Sequence, residues 1–254
     1  MFCVIKPKAT AKMRDAFKAQ YTSKASDAER AFKDIELFDT KQQEAQSYHF
    51  VFVLDESGSM RPHWDELQKA YNNFLTRRHD DQGGDDLITV VQFDSSAHTI
   101  CSRQKVASTP RTLSIHGGGT DYAKGLKEAT KEIENDKTKA SIVMIFMSDG
   151  TDDGSESPEN IISQLKSKYA KDHNFICHTI GFGPDITKGS EEEKKLHRMA
   201  NNGGGEMYKA ETGNELIKKF GDIAANSTTS SALIERFSEI LSRDINTKIM
   251  VDYL

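Results

Sequence analysis

The chain has 254 residues, of which 36% are hydrophobic and 29% are charged, a composition typical of a soluble globular protein. This length suits one large α/β domain with extensions or two small domains. The formal net charge of −5 excludes the global basic excess of a dedicated nucleic-acid binder. The longest apolar run, residues 142–147, is too short to cross a bilayer, so direct membrane insertion is not expected.

The N-terminal segment and the cysteines indicate a cytoplasmic protein. The first eight residues turn charged before the apolar core of a signal peptide could form. The three cysteines are an odd, sparse set without metal-ligand spacing. Cys101 and Cys177 lie in strand-like stretches, where we expect buried, reduced thiols.

Residues 1–46 have the pattern of a helical N-terminal extension. Met13, Phe17 and Tyr21 recur at helical spacing in an otherwise polar segment. So thin an apolar stripe cannot form a core of its own, so we expect one or two amphipathic helices packed on something else.

Residues 47–226 alternate short apolar runs with longer amphipathic ones. The predicted strands are Tyr48–Asp55, Leu87–Phe93, Ser141–Met147, Phe175–Phe182 and Glu206–Lys209, with a more polar edge strand over His98–Val106. The predicted helices are Trp64–Arg77, Asp121–Asn135, Pro158–Lys171, Glu191–Asn201 and Glu215–Ala225. Nearly continuous apolar strands between helices indicate a doubly wound, mostly parallel, Rossmann-like α/β sheet with helices on both faces.

Residues 227–254 form a predicted C-terminal helix and tail. Leu233, Phe237, Ile240 and Leu241 make another amphipathic stripe, and the chain ends on the strand-like residues 248–254. An apolar segment is an unusual place to stop, which is compatible with a continuation into a longer protein.

Residues with hydroxyl or carboxylate side chains follow two of the predicted strands and a glycine-rich loop. The first strand leads into Asp55, Ser57 and Ser59, a glycine-rich loop leads into Thr120, and a later strand ends before Asp149. In an open parallel α/β sheet, ligands bind at the carboxyl ends of the strands. Hydroxyl and carboxylate oxygens without a soft ligand favour Mg²⁺ or Mn²⁺ over Zn²⁺.

The ordered set Asp55-x-Ser57-x-Ser59, Thr120 and Asp149 resembles the metal-ion-dependent adhesion site (MIDAS) of von Willebrand factor type A (VWA) domains. All five positions hold the residue types of that motif, and the resemblance covers about residues 48–226. It implies that Ser57 and Ser59 bind the ion through their hydroxyls and that Asp55 and Asp149 hold it partly through water. Thr120 would bind directly in the ligand-competent state, and a Glu or Asp of a protein partner would complete the coordination.

The same resemblance implies a rim around the ion. Glu56 and Met60 would lie beside it as variable positions, and Asp152 and Asp153 would be acidic rim residues of the following loop. An acidic rim would repel acidic partners unless the metal is present.

Other interpretations explain fewer of these residues. Asp and Ser after a strand could be simple helix caps, but this does not account for Thr120. Residues 116–119 mimic a hydrolase oxyanion loop, yet the closest nucleophile elbow begins with Phe146 instead of glycine. The chain has no P-loop sequence, and Ser57 replaces the second aspartate of aspartyl phosphotransferases.

The sequence therefore predicts a non-enzymatic, metal-dependent protein-binding module. The alternative is a scaffold domain of a larger intracellular complex or multidomain protein, in which the metal is purely structural.

Overall fold

A computed structural model describes residues 47–81, 85–138, 140–169 and 175–226. The predicted N-terminal helices and the C-terminal stripe and tail lie outside the described residues. The division into segments 1–46, 47–226 and 227–254 stays a prediction. Within the described part of the chain, no helix combines the length and the apolar character needed to cross a membrane.

The described residues form six strands and five α-helices, which alternate except where β3 follows β2. The strands are β1 Tyr48–Asp55, β2 Leu87–Phe93, β3 Ala97–Lys105, β4 Ser141–Ser148, β5 Phe175–Phe182 and β6 Gly204–Ala210. The helices are α1 Trp64–Asp80, α2 Tyr122–Glu134, α3 Pro158–Tyr169, α4 Glu191–Gly203 and α5 Gly213–Asn226. Two short 3₁₀ helices cover Gly58–His63 and Val106–Ser108. These bounds confirm the predicted elements with small shifts at their ends.

The strands form one sheet in the order β3-β2-β1-β4-β5-β6. All neighbours are parallel except β3, which pairs with β2 in the antiparallel direction at one edge. The chain runs outward from β1 to β2 and then crosses to β4 on the other side of β1. This reversal places a topological switch point, where α/β folds bind ligands, at the carboxyl ends of β1 and β4.

Helices cover both faces of the sheet, which explains the unbroken apolar strands. In β1, Phe50, Phe52 and Leu54 belong to one buried cluster, whereas Val51 and Val53 belong to the other. The first cluster packs against α1 and α5, and the second against α2, α3 and α4. Because a strand presents alternate side chains to opposite faces, a strand covered on both sides must be apolar throughout. The predicted doubly wound α/β class is therefore confirmed.

Candidate functional site

Asp55 ends β1 and lies buried at the carboxyl edge of the sheet. Its Oδ1 accepts a hydrogen bond of 2.8 Å from the Ser57 backbone N–H. Its Oδ2 accepts one of 2.5 Å from the hydroxyl of Ser148, the last residue of β4. The parallel pairing of Leu54 with Met147 brings these two strand ends side by side. The carboxylate is thus fixed from two elements.

A chain of hydroxyls connects Asp55's loop to Asp149. Ser57 Oγ lies 3.0 Å from Ser59 Oγ, and Ser59 Oγ donates a 2.9 Å hydrogen bond to Asp149 Oδ1. Ser57 is buried and Ser59 is exposed. Four of the five predicted site residues therefore form one hydrogen-bonded network that opens to solvent at Ser59.

Thr120 reaches the same edge on the loop that precedes α2. The Gly58 N–H donates to the Gly118 carbonyl at 3.0 Å, which joins this loop to the serine-bearing turn. The Thr120 carbonyl accepts from the Asp153 N–H at 2.8 Å, which joins it to the loop after β4. Gly117 has a φ of 86°, a backbone conformation that a side chain disfavours. The structure therefore brings the loop of Thr120 against the serine-bearing turn and against the loop after β4.

The two aspartates carry buried charge at this edge. Burial raises the pKa of Asp55 to about 6, although hydrogen bonds from Ser148 and Ser57 oppose the shift, and the charge of Asp149 adds to it. Burial also raises the pKa of Asp149, opposed by the hydrogen bond from Ser59. Among the described residues, neither carboxylate has a partner in an ion pair within 4 Å. Their ionised forms would be stabilised by a cation.

The oxygen atoms of this network are spaced as the ligands of a small hard cation are. Mg²⁺ bonds its ligands at about 2.0–2.1 Å in an octahedron, which puts neighbouring ligand oxygens about 3 Å apart. The separations from Ser57 Oγ to Ser59 Oγ and from Ser59 Oγ to Asp149 Oδ1 are 3.0 and 2.9 Å. The residues present fit a divalent ion of the Mg²⁺ class.

Part of the predicted rim is wrong. Glu56 and Met60 are both buried. Met60 packs into the cluster between the sheet and α1, because the 3₁₀ helix turns it inward. Asp152 is also turned in, with its Oδ2 2.9 Å from Lys195 Nζ and its Oδ1 accepting from the Tyr122 N–H. Only Asp153 is exposed as expected.

Sequence reasoning missed where Glu56 goes. Its carboxylate turns toward β2 and β3, where it meets His98 and His116. His98 lies opposite Gln92 in the antiparallel pairing of β2 with β3. The register of that hairpin, if predicted from the sequence, would have placed His98 near the end of β1.

The sequence matches a known domain profile over most of its described part. The profile of the von Willebrand factor type A domain matches residues 50–222. No curated protein sequence is significantly similar to the chain. Domains of this family are commonly metal-dependent protein-interaction modules.

Several solved structures share the fold at low sequence identity. The pilus adhesin SpaC of Lactobacillus rhamnosus GG in its open conformation is 15% identical with a TM-score of 0.60, covering 73% of this chain and 30% of that one. A von Willebrand factor type A protein of Catenulispora acidiphila is 20% identical with a TM-score of 0.57, covering 72% and 43%. Proximal thread matrix protein 1 of the mussel byssus, with a zinc-occupied MIDAS motif, is 19% identical with a TM-score of 0.55, covering 71% and 45%.

The chain spans less than half the length of these three solved chains. Their likeness agrees with the sheet order and the helical layers described above. With the profile match over residues 50–222, it leads to one conclusion: this chain belongs to the von Willebrand factor type A domain family.

Proposed function

We propose that this VWA domain is a metal-dependent protein-binding module, in which a MIDAS holds Mg²⁺ or Mn²⁺ and the ion binds an acidic residue of a partner. The site comprises Asp55, Ser57, Ser59, Thr120 and Asp149. The observation that carries the proposal is the continuous network from Asp55 through both serines to Asp149. It combines buried negative charge with a hydroxyl at the surface.

Each residue has a separate task in this proposal. Ser57 and Ser59 hold the ion through neutral oxygens, and Asp55 and Asp149 compensate its charge from beneath. Two carboxylates balance a divalent ion and leave coordination positions that exchangeable water fills. When bound, the ion supplies the positive charge that attracts a partner's Glu or Asp carboxylate.

Thr120 provides the element that could respond to the partner. Its loop is tied to the serine turn through Gly58 and to the loop after β4 through Asp153. A partner carboxylate that favours direct binding by Thr120 would shift this loop between two states. The hydrogen bonds that join the three loops would carry that shift to their neighbours.

The arrangement supports a binding role rather than an enzymatic one. Ser148, the central residue of the nearest elbow-like sequence, is fully buried, and its hydroxyl donates a hydrogen bond to Asp55. A hydroxyl held in this way does not face a substrate. His116 contacts Glu56 instead of a serine. We therefore propose that the domain is not an enzyme.

The first test is thermal unfolding of the wild type and Asp149→Ala in chelator and then in Mg²⁺, Mn²⁺ or Ca²⁺. With free metal at ten times the dissociation constant, binding to the folded state alone stabilises it by about 1.4 kcal/mol. For a domain of this size that raises Tm by roughly 3–6 °C. We expect this shift in the wild type and its loss in Asp149→Ala.

The matched control is Asp153→Ala, which removes an exposed carboxylate of the adjacent loop and should keep the shift. Equal shifts in the wild type and Asp149→Ala would contradict the metal site. A shift in neither protein would favour the alternative, a scaffold domain of a larger assembly. A partner that binds equally well in excess chelator would contradict the bridging role of the ion.

A further inference from the structure

A second cluster of metal-binding side chains lies next to the proposed MIDAS and uses different residues. Glu56 follows β1, His98 belongs to β3, and His116 precedes the glycine-rich loop. One ligand atom from each of the three lies within 4.8 Å of the others. We propose that Glu56, His98 and His116 form a binding site for Zn²⁺.

The distances around the Glu56 carboxylate suit a tetrahedral zinc ion. Glu56 Oε1 lies 3.3 Å from His98 Nδ1 and 3.4 Å from His116 Nδ1. Zinc binds imidazole nitrogen and carboxylate oxygen at about 2.0–2.1 Å, so the ligand atoms of a tetrahedral site are about 3.3–3.4 Å apart. Both edges at Glu56 Oε1 have this length, and the ligand atoms of all three residues lie within 4.8 Å of one another.

The other carboxylate oxygen is held by neighbours that orient Glu56. Its Oε2 accepts hydrogen bonds of 3.0 Å from Gln92 Nε2 and 3.0 Å from the His116 backbone N–H, and it lies 3.1 Å from His116 Nδ1. Gln92 Nε2 also donates to the Ser114 carbonyl at 2.7 Å, which fixes the amide. Hydrogen bonds to a ligating carboxylate are a common feature of zinc sites, because they set its direction. Here they leave Oε1 next to His98 Nδ1, with His116 Nδ1 within 3.4 Å of both carboxylate oxygens.

The exposure of the three side chains changes stepwise from the core to the surface. The side chain of Glu56 is 2% exposed, that of His98 is 37% exposed and that of His116 is 66% exposed. Within the described part of the chain, His98 Nε2 is buried without a hydrogen-bond partner, so the ring is oriented toward Glu56 through Nδ1 alone. Three protein ligands leave the fourth tetrahedral position to water or to a group from a partner.

The chemistry of the two sites separates their ions. The proposed MIDAS offers hydroxyl and carboxylate oxygens, which suit Mg²⁺ or Mn²⁺, whereas two imidazoles with one carboxylate suit Zn²⁺. Glu56 stands between Asp55 and Ser57 in the sequence, but its side chain turns toward β2 and β3. The sites therefore share a loop and no ligand, and the zinc site does not depend on the proposed function.

The test is calorimetric titration of the full chain with Zn²⁺ in excess Mg²⁺, for the wild type, His98→Ala and His116→Ala. We expect the wild type to bind one Zn²⁺ at this site, and its affinity to fall by at least about tenfold in each variant. His116→Ala keeps the backbone N–H that binds Glu56, so the carboxylate stays in place. Thermal unfolding without zinc confirms that each variant is folded.

Two controls separate this site from other zinc binding. His79→Ala removes an exposed imidazole outside the cluster, and Asp149→Ala removes a proposed MIDAS residue. Both should retain the wild-type affinity for Zn²⁺. Unchanged affinity in His98→Ala and His116→Ala would overturn the proposal, and so would a loss confined to Asp149→Ala, which would place the zinc at the oxygen site.

Co²⁺ provides a spectroscopic check of the ligand set. A tetrahedral Co²⁺ ion with imidazole ligands absorbs visible light far more strongly than an octahedral one with oxygen ligands. We expect the strong absorption in the wild type and Asp149→Ala and its loss in His116→Ala. Weak absorption in the wild type, typical of octahedral coordination, would contradict the site.

Discussion

At the amino-terminal edge of the sheet, buried charges pair within the chain, whereas Asp55 and Asp149 at the carboxyl-terminal edge accept hydrogen bonds only from neutral donors. Arg78 near the end of α1 binds Asp86 Oδ2 through Nε at 2.8 Å and through Nη2 at 2.5 Å. Arg78 Nη1 also donates to the Ala224 carbonyl, and the Tyr48 N–H donates to Asp86 Oδ1. Asp55 and Asp149, at the other edge, accept from hydroxyls and a backbone amide.

A second buried group at the amino-terminal edge also finds its partners within the chain. His49 lies within 2.7 Å of Asp136 Oδ2 through Nδ1 and within 2.8 Å of Thr89 Oγ1 through Nε2. Thr89 Oγ1 also accepts from the Arg103 N–H at 3.0 Å. His49 and Thr89 are fully buried and the Asp136 side chain is 4% exposed, so this row of hydroxyl, imidazole and carboxylate holds the structure together.

The difference shows how buried charge can be read in an α/β domain. Charge that is compensated by the chain itself belongs to the architecture, and removing one partner costs stability. Charge that is left with neutral donors at a topological switch point would be stabilised by an ion from solution, as we propose for Asp55 and Asp149.

Arg78→Ala should have the largest effect, because it leaves Asp86 buried without its cation. Breaking a buried ion pair by removing one partner costs about 3–5 kcal/mol. We expect a loss of this size in the free energy of unfolding, measured in urea, and the same loss with and without Mg²⁺. Arg198→Ala, which removes a half-exposed partner of Glu159, should cost less than about 1 kcal/mol. Equal losses in the two variants would contradict the contrast.

Asp136→Asn should have a smaller effect that depends on pH. Burial opposes ionisation, but hydrogen bonds from His49 and Thr138 outweigh it and lower the pKa of Asp136 to about 2. Because this pKa is below the ordinary value, the carboxylate stabilises the fold above about pH 4, and the stabilisation is lost as pH falls toward 2. At neutral pH we expect the free energy of unfolding of the wild type to be about 2 kcal/mol larger than that of the variant.

Urea unfolding between pH 2 and 7 would measure this difference. The difference in free energy of unfolding between the wild type and Asp136→Asn should disappear as pH falls from about 4 to about 2. The control Asp80→Asn, at an exposed position, should unfold like the wild type at every pH. A gap that is constant over the whole pH range would show that Asp136 contributes by shape and not by charge.

Ser59→Ala should have the smallest effect on the metal-free protein. The hydroxyl is at the surface, and its hydrogen bond to Asp149 contributes about 1 kcal/mol or less. In Mg²⁺ at ten times the wild-type dissociation constant, however, the variant should lack the additional stabilisation of about 1.4 kcal/mol. Ser167→Ala, on the exposed face of α3, should retain it. Retention in Ser59→Ala would exclude that hydroxyl as a ligand.

The sequence was sufficient to predict the sheet because burial on both faces leaves a continuous apolar signal. β1, β2 and β5 begin and end at the predicted residues. The end of α1 was less predictable. The predicted helix stops at Arg77, but Arg78 is buried where it binds Asp86, and the helix extends to Asp80.

The sequence predicted which residues lie together at this edge, but not the directions of all their side chains. Asp55, Ser57, Ser59 and Asp149 come together because parallel pairing aligns the ends of β1 and β4. The direction of Glu56 depends on the backbone of a short turn and on donors from Gln92 and His116. Such long-range contacts leave no periodic trace in the sequence.

Equilibrium binding of Mn²⁺, followed by electron paramagnetic resonance of the free ion, is the decisive test of the proposed MIDAS. We expect one Mn²⁺ per wild-type chain that excess Mg²⁺ displaces, the same stoichiometry in Asp153→Ala, and no such site in Asp149→Ala. Binding of Mn²⁺ by Asp149→Ala as tight as that of the wild type, or no binding by the wild type, would contradict it.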